Sequence, residues 1–298
     1  MGIAAKRVIV LGASGFVGKY LFDEFSKAKE LETIGFSSKE LDLLSPRDLM
    51  GKLLDVTPGD VLIVAAAITR LKENTFNSMS KNIQMVENIA NVIDEHPVGQ
   101  VVYLSTIDVY GIELERGCKI TEQTELAPND YYAISKLTGE FLLKRMCGQR
   151  KIPLAILRLC GVYGPGDIEK STIGTIVSAA LRNKKITIYG DGKNLRDYVY
   201  VDDIYRIIRR IVTKRLNVTL NIATGRSYSI FNIAHMVQSL LPHYVSIEFK
   251  RKSGKKSVRR VRDLMFDISL FKKNFRGVQL KGIEKGVSDY LQHTQRTG

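Results

Sequence analysis

Tyr132 and Lys136 stand four residues apart in the segment Tyr-Ala-Ile-Ser-Lys. On a helix that spacing puts both side chains on one face. A phenol with an ordinary pKa of ~10 is a poor base at neutral pH, and an ammonium group beside it favours the phenolate and lowers that value. Such a pair can carry a proton. A tyrosine and a lysine four apart also occur on ordinary solvated helices, and Tyr131 adjoins Tyr132, so the spacing alone leaves both readings open. A second candidate group is Gly12-Ala13-Ser14-Gly15-Phe16-Val17-Gly18. Glycines at this spacing permit a tight turn, let backbone N–H groups approach a pyrophosphate, and let the next helix pack close to a sheet. The segment is not an NTPase phosphate loop: Ala13 stands where that loop needs glycine, and Tyr20 follows Gly18-Lys19 where it needs Ser or Thr.

These groups are useful only if the chain holds them at one edge. Arg7 to Leu11 is a short β-branched run, the glycine turn follows it, and Val17 to Lys29 is amphipathic: strand, turn, helix. The rhythm repeats with strands at Thr33–Phe36, Val61–Ala67, Val101–Ser105 and Ile152–Leu159, and with helices at Pro46–Leu54, Ser80–Glu95 and Tyr131–Arg145. Alternating helices and continuous apolar strands predict a parallel sheet covered on both faces, a doubly wound α/β fold of Rossmann type. The glycine turn then follows the first strand and Ser105-Thr106 closes the fourth, both at the carboxyl edge where such sheets bind ligands. Past Gly164-Pro165-Gly166 the pattern becomes irregular, with a helix near Thr175–Arg182, a strand at Ile186–Tyr189, and a buried strand at Leu220–Ala223. The expected organisation is a dinucleotide-binding domain over residues 1–165, with segments near 196–225 returning to it, and a smaller, discontinuous α/β substrate domain over 166–298.

Composition excludes several classes. The chain has 298 residues, 44% hydrophobic and 26% charged, ordinary values that argue against disorder, collagen-like repeats and coiled coils. The longest apolar run, Val61 to Ile68, is strand-sized and far short of the ~20 residues of a membrane span. Lys6 and Arg7 interrupt any secretory leader, and no Ser or Thr stands five residues after Met1 to complete a myristoylation signal, so a cytoplasmic protein is expected. Cys118, Cys147 and Cys160 form no CxxC pair, and the four histidines show no ligand spacing, so neither a disulfide framework nor a metal site is expected. The net charge of +14 favours anionic ligands. Lys250 to Arg262 concentrates basic residues with few aromatics, a pattern more often a solvated loop or an anion-binding surface than a nucleic-acid interface.

The ordered motifs resemble the extended short-chain dehydrogenase/reductases, the group that includes nucleotide-sugar epimerases, dehydratases and reductases. The matching pieces are Gly12-x-x-Gly15-x-x-Gly18, Ala66-Ala67, Asn82 and Asn88, Leu104-Ser105-Thr106 leading to Val109-Tyr110-Gly111, and Tyr132-x-x-x-Lys136. They continue with Arg158 leading to Val162-Tyr163-Gly164-Pro165-Gly166, then Arg196-Asp197-Tyr198-Val199-Tyr200-Val201-Asp202-Asp203, and finally Asp267-Ile268-Ser269. The resemblance implies that Tyr132 is the general acid or base, that Lys136 holds the nicotinamide ribose and tunes the phenol, and that Thr106 hydrogen-bonds the reacting oxygen. It implies a cofactor site from Gly12, Ser14, Gly15, Phe16, Val17 and Gly18, the stretch Ser37, Ser38, Lys39, Asp42 and Leu43, and Ala65, Ala66 and Ala67. Substrate contacts fall on Thr106, Ile107, Asp108, Gly161 and Arg196, the last as the arginine on a nucleotide-sugar diphosphate. Relatives also dimerise through two helices, here Ser80–Glu95 and Tyr131–Arg145.

Two departures narrow the chemistry. Sugar dehydratases of this group carry Asp-Glu after the catalytic Thr, and this chain has Ile107-Asp108, so a 4,6-dehydratase lacks one of its acids. Gly161 replaces an Asn that would contact the diphosphate. No carboxylate stands at the end of the second strand, where Ser37-Ser38-Lys39 precedes Glu40, so the sequence favours NADP(H), with NAD(H) as the alternative. Leu41-Asp42-Leu43-Leu44 resembles a segment of NADP(H)-dependent sugar reductases. The expectation is a keto-sugar reductase with Tyr132 as acid, ahead of a redox-neutral epimerase with tightly held NAD and, last, a non-catalytic NADP(H) sensor that binds nucleic acid.

Overall fold

The computed structural model describes residues 5–28, 30–111, 119–167, 171–182, 185–250 and 263–297. The first half runs β1 (Arg7–Leu11), α1 (Phe16–Ser26), β2 (Glu32–Phe36), α2 (Pro46–Leu53), β3 (Val61–Val64), α3 (Phe76–Glu95), β4 (Gln100–Thr106), a single 3₁₀ turn (Ile107–Tyr110), β5 (Lys119–Ile120), α4 (Tyr131–Arg150) and β6 (Leu154–Leu159). The second half runs β7 (Gly161–Tyr163), α5 (Thr172–Leu181), β8 (Ile186–Tyr189), β9 (Leu195–Tyr200), α6 (Val201–Lys214), β10 (Val218–Ile222), β11 (Ser227–Ser229), α7 (Ile230–Ser239), β12 (Ile247–Lys250), β13 (Met265–Phe266), α8 (Ser269–Asn274) and α9 (Ile283–Thr297).

The chain divides into two compact units. The first comprises Met1–Gly111, Glu125–Leu159 and Tyr205–Leu220; the second comprises Ile112–Thr124, Cys160–Ile204 and Asn221–Gly298. The sequence reading drew the border at 165 and the return near 196–225. The motif Val162-Tyr163-Gly164-Pro165-Gly166 thus lies in the second unit, and residues 196–204 and 221–225 also belong there.

In the first unit the strand order is β10-β6-β4-β3-β1-β2, and β2, β1, β3, β4 and β6 run parallel. Val61–Val64 and Gln100–Thr106 are buried at every position, because helices cover both faces and no side of a central parallel strand meets water. Each Val, Leu or Ile so buried contributes roughly 1.5–3 kcal/mol. From β1 the chain moves outward to β2 and then returns to β3 on the other side of β1. In doubly wound sheets such a reversal marks where ligands bind, beyond the carboxyl ends of the strands on either side of it, here β1 and β3. The register aligns Leu11 with Val64 and Val64 with Tyr103, so Thr106 stands three residues further out on β4.

Local signals set the helix starts. Asp130 caps α4 by accepting from the Ala133 N–H at 2.7 Å, and Ser45 caps α2 ahead of Pro46. Thr75 and Ser78 cap α3 reciprocally, which starts that helix four residues before the expected Ser80. Both α3 and α4 run 20 residues, and α4 extends to Arg150, where Lys151 adopts a left-handed conformation with φ 56°.

The second unit has its own core, in which Tyr163, Ile173, Ile176, Tyr198, Ile233, Val287 and Tyr290 pack together. Its sheets are β11-β9-β7, β12-β8 and β13-β5. Within it the buried Asp197 carboxylate accepts from the Thr224 N–H (2.9 Å), the Thr224 hydroxyl (2.7 Å) and the Gly225 N–H (2.8 Å). Burial pushes its pKa up to about 6 against these hydrogen bonds, which favour the charged form. Among the described residues no helix is long and apolar enough to cross a membrane, and no group of three or more His, Cys, Asp or Glu side chains is placed to hold a metal. Cys118 and residues 251–262 of the basic run lie outside the described residues.

Candidate active site

The glycine turn is shaped by what its neighbours leave no room for. Gly12, at φ +91°, sits against the loop after β3: a Cβ there would come within 2.7 Å of the Ala66 nitrogen. At position 18 a Cβ would lie 2.2 Å from the Gly12 carbonyl oxygen, so only glycine lets α1 start this close to β1. Gly15 caps α1 without a side-chain hydrogen bond, and no acid occupies the first turn. Ser14 is exposed, while Phe16 and Val17 are half-buried. Bare backbone at a helix N-terminus suits a pyrophosphate, so this turn fits a dinucleotide. The N–H groups of Gly12 and Ala13 donate to the Phe36 carbonyl at 2.9 and 3.0 Å, which ties the turn to the end of β2.

At that end the structure corrects the sequence reading. The chain bends back over Ser37, with the N–H groups of Glu40 and Leu41 both donating to its carbonyl at 3.1 Å. The Glu40 carboxylate then accepts from the Ser37 N–H (2.8 Å) and hydroxyl (2.6 Å), which hold its pKa below the usual carboxylate range. A carboxylate does stand at the end of β2, delivered by a turn that three-residue spacing hides. Ser38 and Lys39 are exposed on the same turn. Asp42 accepts from the Leu44 N–H at 3.0 Å, and Leu43 is 8% exposed and packs into the core of the first unit.

A continuous path leads from the glycine turn to the proton-carrying pair. Ala65, Ala66 and Ala67 follow β3, with the Ala65 N–H donating to the Leu11 carbonyl at 2.9 Å. Next in the loop, Ile68 is clamped by buried Asn82 of α3, which accepts from its N–H at 2.7 Å and donates to its carbonyl at 3.0 Å. The same amide donates to the Ser135 hydroxyl at 3.2 Å, between Tyr132 and Lys136 on α4. One side chain therefore joins the loop after β3 to α4. Asn82→Leu keeps the branched heavy-atom skeleton but strands the Ile68 N–H and carbonyl, a cost of roughly 1–3 kcal/mol for each buried group left unpaired. We expect a lower melting temperature and faster hydrogen exchange at Ile68, with exchange at Ile93 on the far end of α3 changed less.

Tyr132 and Lys136 share a face of α4, as their spacing predicts. Tyr132 is half-buried, and its backbone N–H donates to Asn74 at 3.0 Å. Lys136 is 3% exposed, and its ammonium lies 3.9 Å from the centroid of the Tyr103 ring on β4. Burial pushes the Lys136 pKa down to about 7, opposed by Glu140. The phenol departs from expectation: its pKa is raised, first by burial and then by Asp108 and Asp130, with Arg70 acting in the other direction. A neutral phenol is what this surrounding favours, because burial weakens its hydration and the Asp108 and Asp130 carboxylates act on it.

Thr106 is 7% exposed at the end of β4, where its hydroxyl donates to the Asp108 carboxylate at 3.0 Å and accepts from the Asp108 N–H at 3.2 Å. Arg70, in the loop after β3, pairs with Asp108 at 3.1 Å and lies 3.9 Å from Asp130. Ile107 and Asp108 form the start of the 3₁₀ turn that carries the chain past Thr106. Arg70, Asn74 and Asp130 escaped the sequence reading. Only Asp130 had a signal, as an Asp placed to cap the helix of Tyr132.

Gly161 and Arg196 belong to the second unit. Gly161 pairs with Tyr198, and a Cβ there would come within 2.6 Å of that ring, so its small size serves packing between β7 and β9. Arg196, half-buried on β9, donates to the Leu195 carbonyl at 2.6 Å.

Residues 8–233 match the NAD dependent epimerase/dehydratase family. The chain belongs to this family. It is a member of the extended short-chain dehydrogenase/reductases, with the Rossmann-type α/β fold that the strand and helix alternation predicts. It is 28% identical over 273 residues to the uncharacterized UDP-glucose epimerase YtcB of Bacillus subtilis strain 168, covering 83% of this chain and 85% of that protein. It is also 28% identical over 249 residues to the GDP-6-deoxy-D-talose 4-dehydrogenase of Aggregatibacter actinomycetemcomitans, covering 81% of this chain and 82% of that protein. In fold it is similar to the dTDP-glucose 4,6-dehydratase of Bacillus anthracis strain Ames, solved in complex with NAD, with TM-score 0.83 and 22% identity over 98% of this chain and 97% of that one.

Proposed function

We propose that this chain is an NAD(H)-dependent enzyme that interconverts a hydroxyl and a keto group on the sugar of a nucleotide sugar, and that it works as an epimerase. The observation that supports this reading is the Asn82 bridge. It ties the loop after β3 to the helix bearing Tyr132 and Lys136, and the Ala65 N–H at the start of that loop donates to Leu11, next to the glycine turn. Family membership and the sugar-nucleotide enzymes among its relatives support the substrate class. Ile107, in place of an acid, argues against elimination of water from the sugar.

NAD supplies the hydride acceptor and donor when bound. The protein's own part is the proton. Tyr132 Oη takes it from the sugar hydroxyl and returns it to the carbonyl oxygen, Thr106 hydrogen-bonds that oxygen, and Lys136 would hold the nicotinamide ribose. Gly12, Ser14 to Gly18 and Ala65 to Ala67 would hold the pyrophosphate and nicotinamide half, and Ser37 to Lys39, Asp42 and Leu43 the adenosine half; for Arg196 the resemblance to relatives supports a diphosphate contact. The resemblance to relatives also supports a homodimer formed through α3 and α4.

Glu40 moves the cofactor reading from NADP(H) to NAD(H), because a fixed carboxylate at the end of β2 accepts ribose hydroxyls and repels a 2′-phosphate. Glu40→Gln removes that repulsion and is expected to raise the affinity for NADPH relative to NADH by about tenfold in fluorescence titrations. An unchanged ratio would return the preference to Lys39 and NADP(H). The keto-sugar reductase is the second reading, favoured by the raised phenol of Tyr132, which suits an acid better than a base. The deciding experiment identifies the cofactor released from purified protein, then offers nucleotide sugars and their keto forms. Retained NAD with interconversion of epimers and no net cofactor consumption is expected; stoichiometric NADPH loss on a keto sugar would establish the reductase instead.

A further inference from the structure

A fully buried ion pair lies directly beneath the catalytic helix. Glu140, with 0% exposure, follows Lys136 by one turn of α4 and therefore projects from the same face. Arg158 of β6, 2% exposed, grips it with two bonds: Nε donates to Oε1 at 3.0 Å and Nη2 donates to Oε2 at 2.7 Å. The Ser105 hydroxyl of β4 donates to the same Oε1 at 2.6 Å. The remaining arm of Arg158 donates to the Tyr110 hydroxyl at 2.8 Å, at the end of the 3₁₀ turn that begins beside Thr106. Lys144 approaches Oε2 from the surface at 3.9 Å.

A buried pair of this kind is a weak source of stability, since apolar side chains of equal volume often serve as well or better. Its placement points to another purpose. The Lys136 ammonium lies over the Tyr103 ring of β4, and the Glu140 carboxylate, one turn along the same face of α4, acts on it from beyond direct ion-pair distance, with Arg158 and Lys144 beside that carboxylate. Glu140 is the carboxylate that acts on this lysine, and Arg158 fixes its orientation through two bonds. We propose that Glu140, clamped by Arg158, is a positioning residue that supplies the counter-charge keeping Lys136 an ammonium inside the protein and suspends the catalytic helix from the strand end that carries Thr106. The inference rests on the role given to Lys136 above. It adds that the lysine's charge is set from behind, by a residue that touches neither cofactor nor substrate.

The test reads the lysine directly. In protein labelled at lysine Cε, the Lys136 resonance is identified by its absence in Lys136→Met and followed against pH by NMR. The wild-type midpoint is expected at about 7. Glu140→Gln is expected to lower it by about one pH unit or more, and Glu140→Asp, which keeps the charge, by about half a unit or less. Glu140→Gln leaves the Arg158 guanidinium buried without its carboxylate, so Glu140→Gln/Arg158→Met provides a variant without an unpaired charge, and its midpoint is expected between those of Glu140→Gln and wild type, because loss of the Arg158 cation offsets part of the fall. A role confined to folding would lower the melting temperature and leave the midpoint in place. An unmoved midpoint in the glutamine variants, or a wild-type midpoint of ~6 or below, overturns the inference, and the second result needs no variant to fold. Failure of the functional reading shows separately, as Lys136→Met retaining cofactor binding and turnover whatever the titration gives.

Discussion

Tyr132→Phe is expected to lower turnover by about 10²–10⁴-fold, the usual contribution of a positioned proton-transfer group. The fold and the retention of NAD should be nearly unchanged. Phenylalanine keeps the ring in its half-buried position, and the main-chain bond from residue 132 to Asn74 does not involve the side chain. The Asp130 cap and the Asn82–Ser135 bond that set the helix in place are equally untouched. Only the oxygen that exchanges the proton is lost. Rapid mixing with substrate, followed by the absorbance of reduced cofactor, separates the chemical step from binding. Loss of the step with unchanged cofactor content is the expected pattern. Retention of more than about a tenth of the wild-type rate would remove Tyr132 from the mechanism and leave Thr106 or Asp108 to be examined as the proton carrier. The residual pH dependence carries further information. Burial, Asp108 and Asp130 all raise the phenol, so the wild-type limb assigned to it lies on the alkaline side of an ordinary tyrosine and should vanish in the variant.

Gly18→Ala is expected to damage both stability and cofactor capture. The added methyl would sit 2.2 Å from the Gly12 carbonyl oxygen and 2.9 Å from its carbon, both backbone atoms that no rotamer change can move aside. Gly12 is in turn pressed against Ala66, so the turn cannot retreat toward β3. The start of α1 must shift outward, and overpacking of this kind typically costs ~1–3 kcal/mol. A displacement of about 1 Å at the pyrophosphate turn would carry the nicotinamide with it and cost about 10²-fold in turnover. Thermal unfolding with and without added NAD reads both effects. The variant should melt lower and gain less from NAD than the wild type, because a ligand stabilises only as far as it binds. A wild-type increment from NAD would mean that the turn does not hold the cofactor. Gly51 of α2, whose Cβ would meet nothing within 4 Å, is the control: Gly51→Ala should leave the NAD increment in place and raise the melting temperature slightly, because alanine is favoured over glycine inside a helix by roughly 0.5–1 kcal/mol.

Much of this site is written in local sequence. The three glycines, the apolar strands and the Tyr-Lys spacing each report a local constraint: a tight turn, a strand buried on both faces, two side chains on one helical face. Such constraints act over a few residues and survive into the fold unchanged. The helix boundaries shifted where capping side chains competed with periodicity, as at Thr75 and Ser78 for α3. The reading of the β2 end failed for a related reason. Glu40 lies three residues past the position where an acid is sought, and only the turn at Ser37 returns its carboxylate there.

The remaining features depend on contacts between distant parts of the chain. Asn82, 14 residues from Ile68 and 53 from Ser135, marks its place in the sequence but not its two partners. The phenol of Tyr132 was expected to be lowered by Lys136 and is instead raised, because Asp108, Asp130 and the loss of water act on it together. Glu140 and Arg158 are 18 residues apart and look like two more charged residues until the sheet brings α4 over β6. The sequence by itself determined the parallel α/β architecture, the glycine turn after β1 and the shared helical face of Tyr132 and Lys136, since each follows from residue type and short spacing. Tertiary structure alone decided the protonation preference of that pair, the carboxylate at the end of β2 and the buried counter-charge. Electrostatic energies inside a protein depend on distance and on the exclusion of water, and both are set by how remote segments pack.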